Sequence, residues 1–171
     1  MRAVAVKDRE LIKLELEDIL EQFSDSEFIL FNLDVNHFKH FYNEYGPEQR
    51  AIVVREINDY LERLHTEGII CYHAKSNYGA FFCLIKEKEK EAMPEIKHEI
   101  EAMDFPVYNG NFGTVEIEIE GKKVGLKPNK ITIRIGAVSL DSKSDVEKIL
   151  SDVEAAKEKA KEVEDMIYML P

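Results

Sequence analysis

Cysteine is scarce in this chain: Cys71 and Cys83 are the only two, and each sits inside an apolar run. No Cys-x-x-Cys pair occurs, which argues against a structural zinc site built on thiolates and against a disulfide framework. The expected state is two reduced core cysteines. Long hydrophobic runs are also missing. None approaches the roughly eighteen residues that would span a bilayer, so no membrane partner is expected. The first eight residues turn charged too soon for a signal peptide, and the expected location is the cytoplasm. Positive charge is in deficit, with 23 Lys and Arg against 34 Asp and Glu, a formal net charge of -11. Such a surface repels phosphate backbones, so nucleic acid is excluded as the main partner. No internal repeat, flexible linker or low-complexity tail is found.

What is present is a chain of 171 residues, of which 44% are hydrophobic, enough for one domain, 1–171, with a core of its own. Ile12, Leu16, Ile19, Leu20 and Phe23 recur at helical spacing and predict a helix over 8–23. Residues 28–33 form a continuous apolar run that suits a central strand covered on both faces and ends at Asp34. A short helix over 35–45 is expected next, then Gly46-Pro47, then a helix carrying Val53, Ile57, Tyr60, Leu61 and Leu64, stopped by Gly68. Strands over 69–73 and 80–85 flank a turn and predict a β-hairpin. A charged helix over 86–103 follows, starting properly near Pro94. The clean alternation of residues 115–120 predicts a second hairpin, near 115–127, turning at Gly121. A strand over 131–138, a helix opened by a capping box of Ser144 and Glu147 and running to about 164, and a short strand over 166–170 complete the order. The class is α/β in the broad, α+β sense: a mixed sheet with helices packed on it.

The segment Phe28-Ile29-Leu30-Phe31-Asn32-Leu33-Asp34-Val35-Asn36-His37-Phe38-Lys39, continuing to Gly46, resembles the opening motif of GGDEF domains. That family reads an apolar strand ending in Asp-x-Asp-x-Phe-Lys-x-x-Asn-Asp-x-x-Gly. Ala74-Lys75-Ser76-Asn77-Tyr78-Gly79-Ala80-Phe81 occupies the place of Ala-Arg-x-Gly-Gly-Asp-Glu-Phe. The strand over 131–138, which opens Ile-Thr-Ile-Arg-Ile-Gly, is similar to the family's Val-Thr-Val-Ser-Ile-Gly strand, and Asp8-Arg9 and Ala160-Lys161 echo motifs near its two ends. The hairpin near 115–127 looks like an insertion. The resemblance implies the nucleotidyl cyclase or polymerase-palm fold: a ferredoxin-like, largely antiparallel mixed sheet with helices on its faces.

The family's chemistry is phosphoryl transfer from nucleoside triphosphates, with Mg2+ held by carboxylates. By resemblance, Asp34 keeps the first metal position, whereas the second falls on Gly79 and the adjoining signature Glu on Ala80. The two signature glycines become Asn77 and Tyr78, which crowd the phosphate path. The base-reading Asn falls at Tyr42 and its Asp partner at Ala51; Lys161 could still meet a phosphate, but Val163-Glu164-Asp165 replace Gly-Arg-Asn. The expectation is a degenerate GGDEF domain that makes no cyclic dinucleotide.

Asp34, Asn36, Tyr42, Tyr78 and Lys161 are the candidate ligand-binding residues, and Asp34 is the candidate metal ligand, with Mg2+ the ion to consider. Each has a plainer reading beside it. Asp34 either binds a cation with Asn36 or His37 or simply caps the next helix. His37 and His40 either complete a transition-metal site with Asp34 or are solvated. Tyr42, Tyr45, Tyr72 and Tyr78 either line a repurposed pocket or pack in the ordinary way. Three functions are open: a regulatory domain that binds a protein partner or a second copy of itself, a nucleotide-processing enzyme with a remodelled site using Asp34, and a sensor of a nucleotide or other small molecule.

Overall fold

The computed structural model of the protein describes residues 4–76, 80–110, 113–163 and 165–171. Its centre is strand β1, Phe28–Val35, hydrogen-bonded along both edges: antiparallel to β3, Ala80–Lys86, and antiparallel to β6, Ile133–Leu140. Strand β2, Tyr72–Lys75, pairs outside β3, and β7, Ile167–Met169, runs parallel outside β6, so the five-stranded order is β2-β3-β1-β6-β7. This mixed, mostly antiparallel sheet with helices on both faces is the α+β architecture expected from the sequence.

The near-absence of polar residues in β1 follows from its position. Ile29, Phe31, Leu33 and Val35 point to one face, which α2 (Phe38–Thr66) and α3 (Ala92–Ala102) cover. Phe28 and Leu30 point to the other, covered by α1 (Arg9–Gln22) and α4 (Val146–Ala160). The first set is wholly apolar and the second begins apolar, as burial on two sides demands, with buried Asn32 and then Asp34 following on the α1–α4 face.

The remaining pair, β4 (Val115–Ile119) and β5 (Lys122–Leu126), forms a separate two-stranded hairpin. Its turn residues Glu120 and Gly121 both have positive φ, at 51° and 80°, the primed-turn geometry that matches strand twist. Two α2 side chains tie this excursion down. Buried Gln49 donates to the Pro106 and Pro128 carbonyls, each at 2.8 Å, and accepts from the Tyr108 backbone N–H at 2.8 Å. The Tyr45 hydroxyl lies 2.7 Å from the Leu126 carbonyl, its acceptor.

Several boundaries differ from those expected, each for a local reason. Val35 stays in β1, so no helix begins there; α2 starts at Phe38 and runs to Thr66 through a kink at Gly46, whose φ of 87° is readily adopted only by glycine. Ile69 and Ile70 do not open a strand. Their N–H groups bond back to the Leu64 carbonyl and finish the helix end, so β2 begins only at Tyr72. Lys86 ends β3, and one short 3-10 turn precedes α3. The cap of α4 is Asp145, whose carboxylate accepts from the Glu147 and Lys148 N–H groups, rather than Ser144, whose hydroxyl accepts from Asp141 N–H. That helix ends at Ala160.

One glycine decides where α4 lies. A Cβ on Gly136 of β6 would fall on the backbone of Ala156 and Lys157, so the helix rests directly on the strand there. Gly136→Ala is expected to force α4 off the sheet and to cost at least about 1–3 kcal/mol, the usual range for overpacking. Urea denaturation of the two proteins measures it; an unchanged midpoint would refute the close approach.

Candidate functional site

Asp34 sits next to the end of β1, where the register sets Ala80 of β3 beside it on one edge and Arg134 of β6 on the other. Its parity turns its side chain to the face covered by α4. Because α4 presses on Gly136, Lys157 is carried over the same spot. The Asp34 carboxylate oxygen Oδ2 lies 3.1 Å from Arg134 Nη2 and 3.8 Å from Lys157 Nζ. All three side chains are only 15–16% exposed. Arg134 also reaches Glu158 Oε1 at 3.7 Å, and Glu158 accepts from Lys161 Nζ at 2.8 Å. The result is a chain of alternating charge: Lys157, Asp34, Arg134, Glu158, Lys161.

Asp34 thus does not cap α2. The capping position belongs to His37, which is in the left-handed region with φ 56° and makes no side-chain capping bond. Asn36 is drawn the other way. Its Nδ2 donates to Thr132 Oγ1 at 3.0 Å and lies 3.1 Å from Met166 Sδ, clipping the end of β1 to the segment before β7. With His37 and Phe41 it also edges a cavity of about 140 Å³ against β5. Tyr42 is exposed, with the Arg50 guanidinium 4.4 Å over its ring, a cation–π contact at the surface. Tyr45 holds the β4–β5 hairpin, and the Tyr72 hydroxyl donates to Glu15 at 3.0 Å. Burial, with that bond, holds the Tyr72 phenol well above its ordinary pKa. Tyr78, with Asn77 and Gly79, lies outside the described residues.

The trio Asp34, His37 and His40 does not assemble as a metal site. Asp34 belongs to the α4 face, and the two imidazoles stack edge-on with centroids 6.5 Å apart at the start of α2. Burial, then the charge of His40, depresses the pKa of His37. Cys83 is fully buried and Cys71 half-buried, and burial raises both thiol pKa values, so neither is poised as a nucleophile.

Arg134 is the residue that sequence reading passed over. It stands where the similar family strand has Ser, and that substitution was the available signal. Its consequence depends on the β1–β6 register, which places residue 134 opposite residue 34. The donor set left around Asp34 does not suit a hard divalent ion. Such an ion takes oxygen ligands, and here the carboxylate already faces a guanidinium and an ammonium, while Ala80 across the strand pair offers no oxygen from its side chain.

The palm-like sheet defines the class, and the solved structures it resembles share that fold: it is the fold of GGDEF domains. The coiled coil and GGDEF domain of DgcB from Caulobacter crescentus, in complex with c-di-GMP, matches 98% of this chain and 85% of its own with a TM-score of 0.71 at 14% identity. The active GGEEF domain of a diguanylate cyclase from Vibrio cholerae matches 98% and 99%, with a TM-score of 0.62 at 14% identity. Diguanylate cyclase SiaD from Pseudomonas aeruginosa, in complex with its activator SiaC, matches 96% of this chain and 59% of its own, with a TM-score of 0.67 at 14% identity. No protein-family model matches the chain. No curated protein matches it either. Among the described residues, no helix is long and apolar enough to cross a membrane.

The charge chain has a measurable signature. Asp34→Asn leaves Arg134 and Lys157 facing one another without their anion and is expected to cost about 2 kcal/mol, below the range for a fully buried pair because some solvent reaches the site. Arg134→Ser is expected to cost less, since Lys157 then remains as counterion. A double-mutant cycle on urea denaturation should give a coupling above about 0.5 kcal/mol, and additive losses would contradict the pairing.

Proposed function

We propose that this chain is a single degenerate GGDEF-like domain, catalytically inactive, that serves a regulatory role through a protein partner or a second copy of itself. The observation that carries the reading is the Arg134–Asp34–Lys157 cluster. Two-metal phosphoryl transfer needs carboxylates free to bridge ions and phosphate oxygens. The cluster satisfies the lone acid with the protein's own cations, so a Mg2+ ion would have to displace a guanidinium and an ammonium from a part-buried site. Sequence supports the same conclusion from the other side of the cleft, where positions 79 and 80 are Gly and Ala.

A regulatory role fits a fold kept intact while its catalytic set is lost. The core faces of β1, α2 and α4 are buried and apolar apart from Asn32 and Gln49. SiaD, which shares the fold, forms a complex with an activator protein, which supports a protein partner for this chain as well.

Incubation of the full chain with GTP or ATP and Mg2+ should give no cyclic dinucleotide and no pyrophosphate. Mg2+ alone should leave the melting temperature unchanged, because an ion that does not bind the folded state cannot stabilise it. Formation of product by the wild type, abolished by Asp34→Asn, would establish instead a nucleotide-processing enzyme with a remodelled site.

A further inference from the structure

Away from Asp34, three metal-ligating side chains converge at the far end of α2. Glu62 and His65 lie one turn apart in the last turns of that helix and so share a face. Strand β2 runs beneath. Its alternation buries Tyr72 and Ala74 against the α1–α4 side and turns His73 toward α2. His73 Nε2 meets Glu62 Oε2 at 2.6 Å, and the His65 and His73 rings stand edge to face with centroids 5.6 Å apart. One ligand atom from each of Glu62, His65 and His73 lies within 4.8 Å of the others, and this is the one such trio among the described residues.

We propose that Glu62, His65 and His73 form a site for a borderline transition-metal dication, Zn2+ first, that clamps α2 to the outer strand β2. Two imidazoles and a carboxylate are the donors such ions favour, whereas Mg2+ and Ca2+ prefer oxygen alone. The histidine on the strand is the fixed ligand: its side chain is 10% exposed and its Nδ1 is buried without a partner, which leaves Nε2 as its working nitrogen. The glutamate is the mobile one, 61% exposed, and can swing from its hydrogen bond to a ligand distance of about 2 Å by side-chain rotation. A groove of about 760 Å³, lined by Asn58, Asp59 and Lys75 as well as the trio, opens onto the site. It gives the ion a way in and leaves the fourth position to water. The ordinary Glu62–His73 pair accounts for the lowered pKa of Glu62, whose largest cause is the bond from His73. It does not account for a second imidazole brought against the first. This inference is independent of whether the Asp34 site is inactive.

The test is titration of Zn2+ into the full, chelator-stripped chain with no affinity tag, followed by calorimetry and by melting temperature, and repeated with Co2+ to read tetrahedral absorption. One Zn2+ per chain, a raised melting temperature and a tetrahedral Co2+ spectrum are expected. The Glu62→Gln/His65→Ala variant changes two exposed residues, keeps a hydrogen-bonding group at position 62 for His73, and should keep the circular dichroism of the apo protein. It should bind more than about tenfold more weakly, the loss that even outer-sphere partners of a metal can command. His37→Ala/His40→Ala should bind as the wild type does. Absence of saturable Zn2+ binding, unchanged affinity in the first variant, or loss in the second would overturn the assignment.

Discussion

The burial of β1 is the constraint from which the rest follows. A strand hydrogen-bonded along both edges and covered on both faces leaves little solvent for any polar group along it. Asp34 comes just before it ends, too deep to be hydrated freely. An ionised carboxylate in that position must be matched by charge or by hydrogen bonds. Arg134 supplies the match from the neighbouring strand and Lys157 from the helix above, and both are as buried as the acid. The acid and its counterions therefore belong to the fold before they belong to any chemistry.

The same constraint sets the helices. A sheet with two apolar faces needs a layer on each, and α4 can approach closely because Gly136 offers no Cβ at the point of contact. That approach carries Lys157 to Asp34, so a packing feature and an electrostatic one share a cause. On the opposite face, α2 bends at Gly46, and Tyr45 and Gln49 on either side of the bend hold the 106–128 excursion. At its far end the same helix passes over β2 and brings Glu62 and His65 to His73. One long helix therefore serves both the β4–β5 hairpin and the proposed metal clamp.

The neighbours in fold include a domain described as active, one bound to c-di-GMP and a cyclase bound to its activator. A shared palm at 14% identity does not choose among such roles. The choice rests on the local charges at the strand end, where a cation of the protein replaces the uncharged residue of the similar motif.

Much was readable in the linear order of residues. The run of 28–33, apolar except for Asn32, announced a two-sided central strand, because a strand with one solvated face would alternate with polar residues. The helical stripes of α1 and α4 were equally plain, since a single face repeats every three or four residues. Element ends were less legible: Ile69 and Ile70 look like strand, yet their N–H groups are taken by the helix before them. The candidate site was legible only in part. Asp34 and Lys161 could be named from their motifs, but their link through Arg134 and Glu158 could not. Residues 34, 134 and 157 meet because of strand register and helix seating, and His73 meets Glu62 and His65 because β2 lies under α2. Local periodicity carries no information about which distant segments become neighbours. The chain by itself therefore determined the elements and the residues capable of chemistry, while tertiary packing alone decided which charges and ligands face one another.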